Sequence, residues 1–124
     1  MVVVDTSAWL AYFTDEPNAA AFADAIERAE ELVVPTVTLY EAYRHVLPRR
    51  GERAALEVVA VMRRGTVAEL DAGLALEGAR LGLAHSLSFA DSVILATARR
   101  HGAKLWTQDA DFAALDGVRY VPKS

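Results

Sequence analysis

The sequence predicts an α/β fold, a mainly parallel central sheet with helices on both faces. Three observations lead there. Short, wholly apolar runs, VVV at Val2–Val4 and LVVP at Leu32–Pro35, have the length and β-branched content of buried strands. Longer stretches carry apolar residues three or four apart, the spacing of amphipathic helices. The two patterns alternate along the chain, and such alternation is the signature of βαβ units.

Taken in order, residues 2–4 form a buried strand that ends on Asp5. Pro17 and Asn18 open a helix with Phe22, Ile26 and Ala29 on one face. LVVP is the second strand, stopped by Pro35. A helix follows from Thr36 or Thr38 to Leu47, with Leu39, Ala42, Tyr43, Val46 and Leu47 on its apolar stripe, and it is expected to end at Pro48. Residues 52–64 make another amphipathic helix, with Leu56, Val59 and Met62 inward and Gly65 closing it. TVAEL is a short strand. Asp71 caps a helix running to about Leu83, and Ser88 caps the next, whose Arg99, Arg100 and His101 suit its negative end. KLWT is a strand, DADFAAL a turn or short helix, and VRYV the last strand.

At 124 residues, 53% hydrophobic and 24% charged, residues 1–124 are expected to form a single domain with one core, which excludes a disordered chain. There is no cysteine, so disulfides, thiolate metal sites and a cysteine nucleophile are excluded, in keeping with a cytoplasmic protein. No apolar run approaches the ~20 residues of a membrane span, and the MVVV start lacks the basic flank of a signal peptide. The net charge of −4 opposes nucleic-acid binding in bulk, yet Arg44, Arg49, Arg50, Arg53, Arg63 and Arg64 face only Glu52 and Glu57 in their segment. That segment is either a local basic surface or a set of solvated helix faces.

Four acids share an address. Asp5 ends the first strand, Asp109 follows KLWT, Glu41 lies in the first or second turn of one helix and Asp91 in the first turn of another. In parallel α/β folds, ligands bind outside the carboxyl ends of the strands. Each acid also has a local reading: Asp5 as a cap, Glu41 with Thr38 and Asp91 with Ser88 as capping boxes, and Asp109 and Asp111 as turn residues. Converging carboxylates would repel one another, by roughly 3 kcal/mol per pair at ~5 Å and an effective dielectric near 20. A divalent cation bound by oxygen ligands, Mg²⁺ or Mn²⁺, relieves that repulsion. His45, His85 and His101 are scattered and adjoin no acid cluster, which argues against zinc.

The ordered set VVVDTSAWLAYF, Glu41 in VTLYEAYRHV, SLSFADSVILATARRHGAKLWTQDADF and the GVRYV ending resembles the PIN-domain ribonucleases, and among them the VapC-type toxins of toxin–antitoxin pairs. The resemblance covers essentially the whole chain and implies a PIN-like three-layer sandwich. It implies that Asp5, Glu41, Asp91 and Asp109 are the catalytic, metal-holding quartet. It further implies support from Thr6, Ser7 and Thr107, with Asp111 as an additional acid. The implied activity is a Mg²⁺-dependent endoribonuclease leaving 5′-phosphate and 3′-hydroxyl ends, with Mn²⁺ as a substitute. Its substrate is expected to be a single-stranded loop of tRNA or rRNA, contacted by Arg44, Arg49 and Arg50. The implied partners are a second copy of the chain and a cognate antitoxin, the latter on a groove drawn from Trp9, Tyr12, Phe13, Tyr40 and Tyr43. Of these, Trp9 and Phe13 read better as core.

Two rivals are weaker. A phosphoryl-transfer or receiver domain also ends an early strand on aspartate, but Asp5 is followed by TSAW with no second acid, and Lys104 begins its strand instead of ending it. The other alternative is a non-catalytic PIN-like scaffold for RNA or protein, against which the intact acids argue.

Overall fold

The computed structural model describes residues 1–123. Its elements are β1 (Val2–Val4), α1 (Thr6–Phe13), α2 (Ala19–Ile26), β2 (Leu32–Pro35), α3 (Thr36–Met62), β3 (Thr66–Ala68), α4 (Ala72–His85), α5 (Phe89–Arg100), β4 (Lys104–Thr107) and β5 (Val118–Tyr120). The strands form one sheet in the order β3-β2-β1-β4-β5, every neighbouring pair parallel. The chain moves outward from β1 through β2 to β3, then crosses back by way of α4 and α5 to β4 and β5. The winding therefore reverses between β1 and β4, the place where a crevice opens at the carboxyl ends of the strands.

Period-two alternation divides the core into two layers. On one face Val3, Val33 and Leu105 meet Leu74 and Leu81 of α4 and Ile94 and Leu95 of α5. On the other, Val4, Leu32 and Val34 meet Trp9, Phe22, Ile26 and Met62 from α1, α2 and α3. The result is the expected three-layer sandwich. Within α5 every residue from 92 to 98 is buried, so this helix is enclosed on all sides. Gly65 lets the chain pass from α3 into β3: a Cβ there would stand 2.8 Å from Leu32 Cβ and 2.9 Å from Val34 Cγ2.

Several details differ from the sequence expectation. The pattern reading assigns no helix to residues 6–13, yet TSAWLAYF is α1, started by Asp5. The Ala29 turn leaves α2, which ends at Ile26, for a single 3₁₀ turn at Ala29–Glu31. Pro48 does not end its helix. Helical hydrogen bonding runs through it, and the break comes at Gly51, with φ +86° and ψ 172°. Proline is compatible with helical φ, whereas this backbone geometry is essentially restricted to glycine. The kink also resets the helical phase, so Ala55, Val58 and Met62 face the core while Leu56 is 51% exposed. Leu47 is exposed too, next to the break.

Among the described residues no single helix is long and apolar enough to cross a membrane. The bent α4–α5 pair owes its apolar character to the enclosure of α5 in the core.

The Gly51 kink carries the first stability prediction. A Cβ at Gly51 meets no atom within 4 Å, so Gly51→Ala perturbs the backbone alone. It is expected to cost about 1–3 kcal/mol, read as a lower midpoint in urea with an unchanged slope. An unaltered midpoint would show that the kink relaxes freely into continuous helix.

Candidate active site

The carboxyl ends of β1 and β4 lie side by side, and Asp5 N–H donates to Trp106 O at 3.1 Å just beyond the ladder. There the chain turns into α1. The Asp5 carboxylate caps that helix, accepting from Ala8 N at 3.2 Å, while Ser7 Oγ lies 3.0 Å from both of its oxygens. Asp5 is thus a cap, as its local reading has it, but one only 2% exposed and directed to the sheet edge that gathers the other acids.

Asp109 follows β4 by two residues. Thr107 Oγ1 accepts from Asp109 N at 2.8 Å, and Asp109 Oδ1 accepts from Asp111 N at 2.9 Å, an Asx turn that starts the Ala110–Phe112 3₁₀ helix. Asp91 sits in the first turn of α5, where Ser88 Oγ accepts from Asp91 N at 3.3 Å. That half of the predicted cap forms. The Glu41 capping box does not: Thr38 lies inside α3 and donates to Pro35 O at 2.7 Å. Glu41 instead accepts from Thr6 Oγ1 at 2.5 Å, a bond that ties α3 to the start of α1.

One carboxylate oxygen each from Asp91, Asp109 and Asp111 falls within 4.8 Å of the other two. Asp5 and Glu41 stand outside that trio and border it. Burial drives Asp5 up to about 7, against hydrogen bonds from Ser7, the Ala8 N–H and Thr107 that pull it down, and the nearby Asp109 charge adds to the rise. Burial likewise lifts Asp91 to about 6, reinforced by Asp109 and Glu41, opposed by Ser88, and reinforced again by Asp111. Among the described residues no ion pair involves any of these five acids. An all-oxygen set that is crowded, partly buried and unneutralised fits a hard divalent cation. Zinc with nitrogen ligands does not fit: His85 and His101 are exposed, His101 Nδ1 lies 2.9 Å from Thr97 O, and His45, though it lines a recess with Glu41, joins no cluster of three ligating side chains among the described residues.

The site also uses two residues the sequence reading passed over. Gln108 is 5% exposed; its Oε1 accepts from Asn18 Nδ2 at 3.1 Å and its Nε2 donates to Ser7 O at 3.4 Å. Asn18, read only as a helix start, donates from the same amide to Pro122 O at 3.0 Å. Together they link the turn after Asp5, the start of α2 and the last residues described. The signal available in sequence was a polar amide between Thr107 and Asp109 where a buried edge was already expected. Of the arginines, Arg44 and Arg49 share a recess with Glu41, whereas Arg50 lines an adjoining cavity between α1 and α3 to which Arg49 and His45 also contribute. Trp9 is buried, Tyr12, Phe13 and Tyr43 are half-buried, and only Tyr40 stands well exposed.

The raised pKa of Asp5 makes stability depend on pH. Because the folded protein holds this proton more tightly than the unfolded chain, stability is lost as pH rises from 3.8 through about 7 and is flat above. The loss is on the order of 4 kcal/mol. In EDTA, the wild-type melting temperature is expected to fall over that window relative to Asp5→Asn, and Mg²⁺ or Mn²⁺ should recover it at high pH. Parallel profiles for the two proteins would contradict a buried, ionisable Asp5.

A family model described as PIN domain matches residues 2–118. Among solved structures, a toxin–antitoxin complex from Klebsiella pneumoniae superposes with a TM-score of 0.84 at 20% identity, covering 100% of both chains. VapC20 of Mycobacterium tuberculosis, a sarcin-ricin-loop-cleaving toxin, gives 0.76 at 23% identity, over 94% of this chain and 95% of that one. A protein from Pyrobaculum aerophilum gives 0.72 at 28% identity, over 97% and 90%. No curated protein shows significant sequence similarity to the chain. The likenesses below 25% identity speak for the fold. The family model spans nearly the whole sequence and agrees with the sheet order and its acidic edge, and the chain belongs to the PIN domain family.

Proposed function

We propose that the protein is a divalent-metal-dependent endoribonuclease, the toxin of a toxin–antitoxin pair. The observation that carries this reading is the crowding of Asp91, Asp109 and Asp111 within 4.8 Å, beside Asp5 and Glu41, with no ion pair to any of the five among the described residues. Membership of the PIN family supports it, as does likeness to a toxin that cleaves the sarcin-ricin loop and to antitoxin-bound toxins.

Asp91, Asp109 and Asp111 would hold Mg²⁺, or Mn²⁺ in its place, with Asp5 and Glu41 as further ligands or proton acceptors. When bound, such a cation lowers the pKa of water and offsets charge on a phosphodiester. The remaining work falls to the chain. Thr6 fixes Glu41, Ser7 and Thr107 fix Asp5, and the Asx turn fixes Asp109, so these three carboxylates are aimed before substrate arrives. A carboxylate not engaged with metal takes a proton from the attacking water. Hydrolysis adds the water oxygen to phosphorus and breaks the P–O3′ bond. The 3′ oxygen gains a proton, which leaves 5′-phosphate and 3′-hydroxyl ends. No covalent nucleophile is required, and Ser7 serves Asp5 instead. Single-stranded loops of tRNA or rRNA suit a recessed edge better than duplex. A homodimer, a cognate antitoxin and a cytoplasmic setting belong to the same reading.

The test is cleavage of mixed tRNA and rRNA by partner-free protein in Mg²⁺ or Mn²⁺. EDTA is expected to abolish cleavage. Asp91→Asn should lower it by about two orders of magnitude or more, the scale of losing a group that acts in the chemical step. Metal-dependent stabilisation without cleavage of any RNA would favour the non-catalytic scaffold. Products ending in 2′,3′-cyclic phosphate would exclude attack by water as the first step.

A further inference from the structure

The acids that fit a metal also create a difficulty: they repel the polyanion they would act upon. A compensating feature lies directly beside them. A recess of about 290 Å³ is lined by Tyr40, Glu41, Arg44, His45 and Arg49, all from the first segment of α3, so it shares Glu41 with the acidic edge. Between Glu41 and Arg49 it extends about 12 Å along the helix axis at 1.5 Å per residue.

Both guanidinium groups are steered by their own helix. Arg44 Nη1 donates to Tyr40 Oη at 3.2 Å, and Arg49 Nη1 donates to His45 O at 2.8 Å. Each bond uses one of five donors, and among the described residues neither arginine pairs with a carboxylate. Arg44 stands three residues from Glu41, a spacing that favours an ion pair, but Glu41 is engaged by Thr6. Tyr40 is 59% exposed, and its hydroxyl is anchored to Arg44. A fixed aromatic face next to two cations matches a nucleotide, with the base on the ring and the phosphate on the guanidinium groups.

We propose that Tyr40, Arg44 and Arg49 form a nucleotide subsite for single-stranded RNA, adjoining the carboxylates at Glu41. This deepens the nuclease reading and rests on it. The ring recognises the presence of an unpaired base, and the arginines hold the adjoining phosphate against the repulsion of the acids. Base hydrogen bonds are not needed, so the subsite selects single-stranded over paired RNA with little sequence preference.

The experiment measures binding of a short fluorescein-labelled oligoadenylate, and of the same strand with one abasic position, by anisotropy in Mg²⁺. The Asp91→Asn protein serves as host, so that substrate is not consumed. Tyr40→Ala is expected to weaken binding about five- to hundredfold and to remove the preference for the intact strand, whereas Tyr40→Phe keeps both. Arg44→Ala should lower the slope of log K against log salt by about 0.7. Because Tyr40 and Arg44 are exposed, melting curves are expected to stay within a few degrees of the host. If Tyr40→Ala binds both strands as the host does, the subsite is overturned and Tyr40 is reassigned to protein recognition, while cleavage by the wild type would still uphold the nuclease. Tyr40-dependent binding without wild-type cleavage would uphold the subsite and sink the nuclease. If the host binds neither strand, the subsite is overturned, and the nuclease reading is decided by wild-type cleavage of tRNA and rRNA.

Discussion

Burying a carboxylate at the end of a central strand is costly, and much of this structure is organised around that cost. Asp5 follows the innermost strand and is almost wholly removed from water. What makes it tolerable is local: the first N–H groups of α1, the Ser7 hydroxyl and the Thr107 hydroxyl from the neighbouring strand end. The bonds that stabilise the anion also determine where α1 begins and how β1 and β4 terminate together. Stability and readiness for a cation are therefore two aspects of one arrangement, because the groups that hold Asp5 in place do not fully neutralise it.

The acids differ in the rigidity of their supports. Asp91 rides on a helix enclosed by protein over most of its length, and Asp5 on the central strand; neither can shift without disturbing the core. Asp109 and Asp111 belong to a single 3₁₀ turn at the surface, held by Thr107 and by their own Asx geometry. Such a mixture suits a site in which part of the ligand shell is fixed and part can adjust as a phosphodiester enters.

The parallel sheet was legible because VVV, LVVP and KLWT are too apolar and too short for anything but strands buried among helices. The acidic edge was legible because VVV runs into Asp5 and KLWT reaches Asp109 two residues on. What the pattern hid were features that depend on three-dimensional neighbours. TSAWLAYF shows no helical alternation of polar and apolar residues, since α1 is covered on several sides, so only its cap announced it. Thr38 and Glu41 have the spacing of a capping box, but the helix is capped three residues earlier, at Pro35, and the pair is put to other uses. Pro48 looked like a stop because proline usually is one, while the actual break required a backbone that only Gly51 supplies. Gln108 and Asn18 meet across 90 residues, beyond the reach of any local rule.

The break at Gly51 also separates two inheritances within one helix. In an unbroken helix, each residue gained or lost turns everything beyond it by about 100°. Here the segment carrying Tyr40, Glu41, Arg44 and Arg49 is decoupled in phase from the one that packs Ala55, Val58 and Met62 into the core. A residue gained or lost beyond Gly51 therefore need not rotate Glu41 away from Thr6. The kink lets one helix serve the core with one arm and the acidic edge with the other.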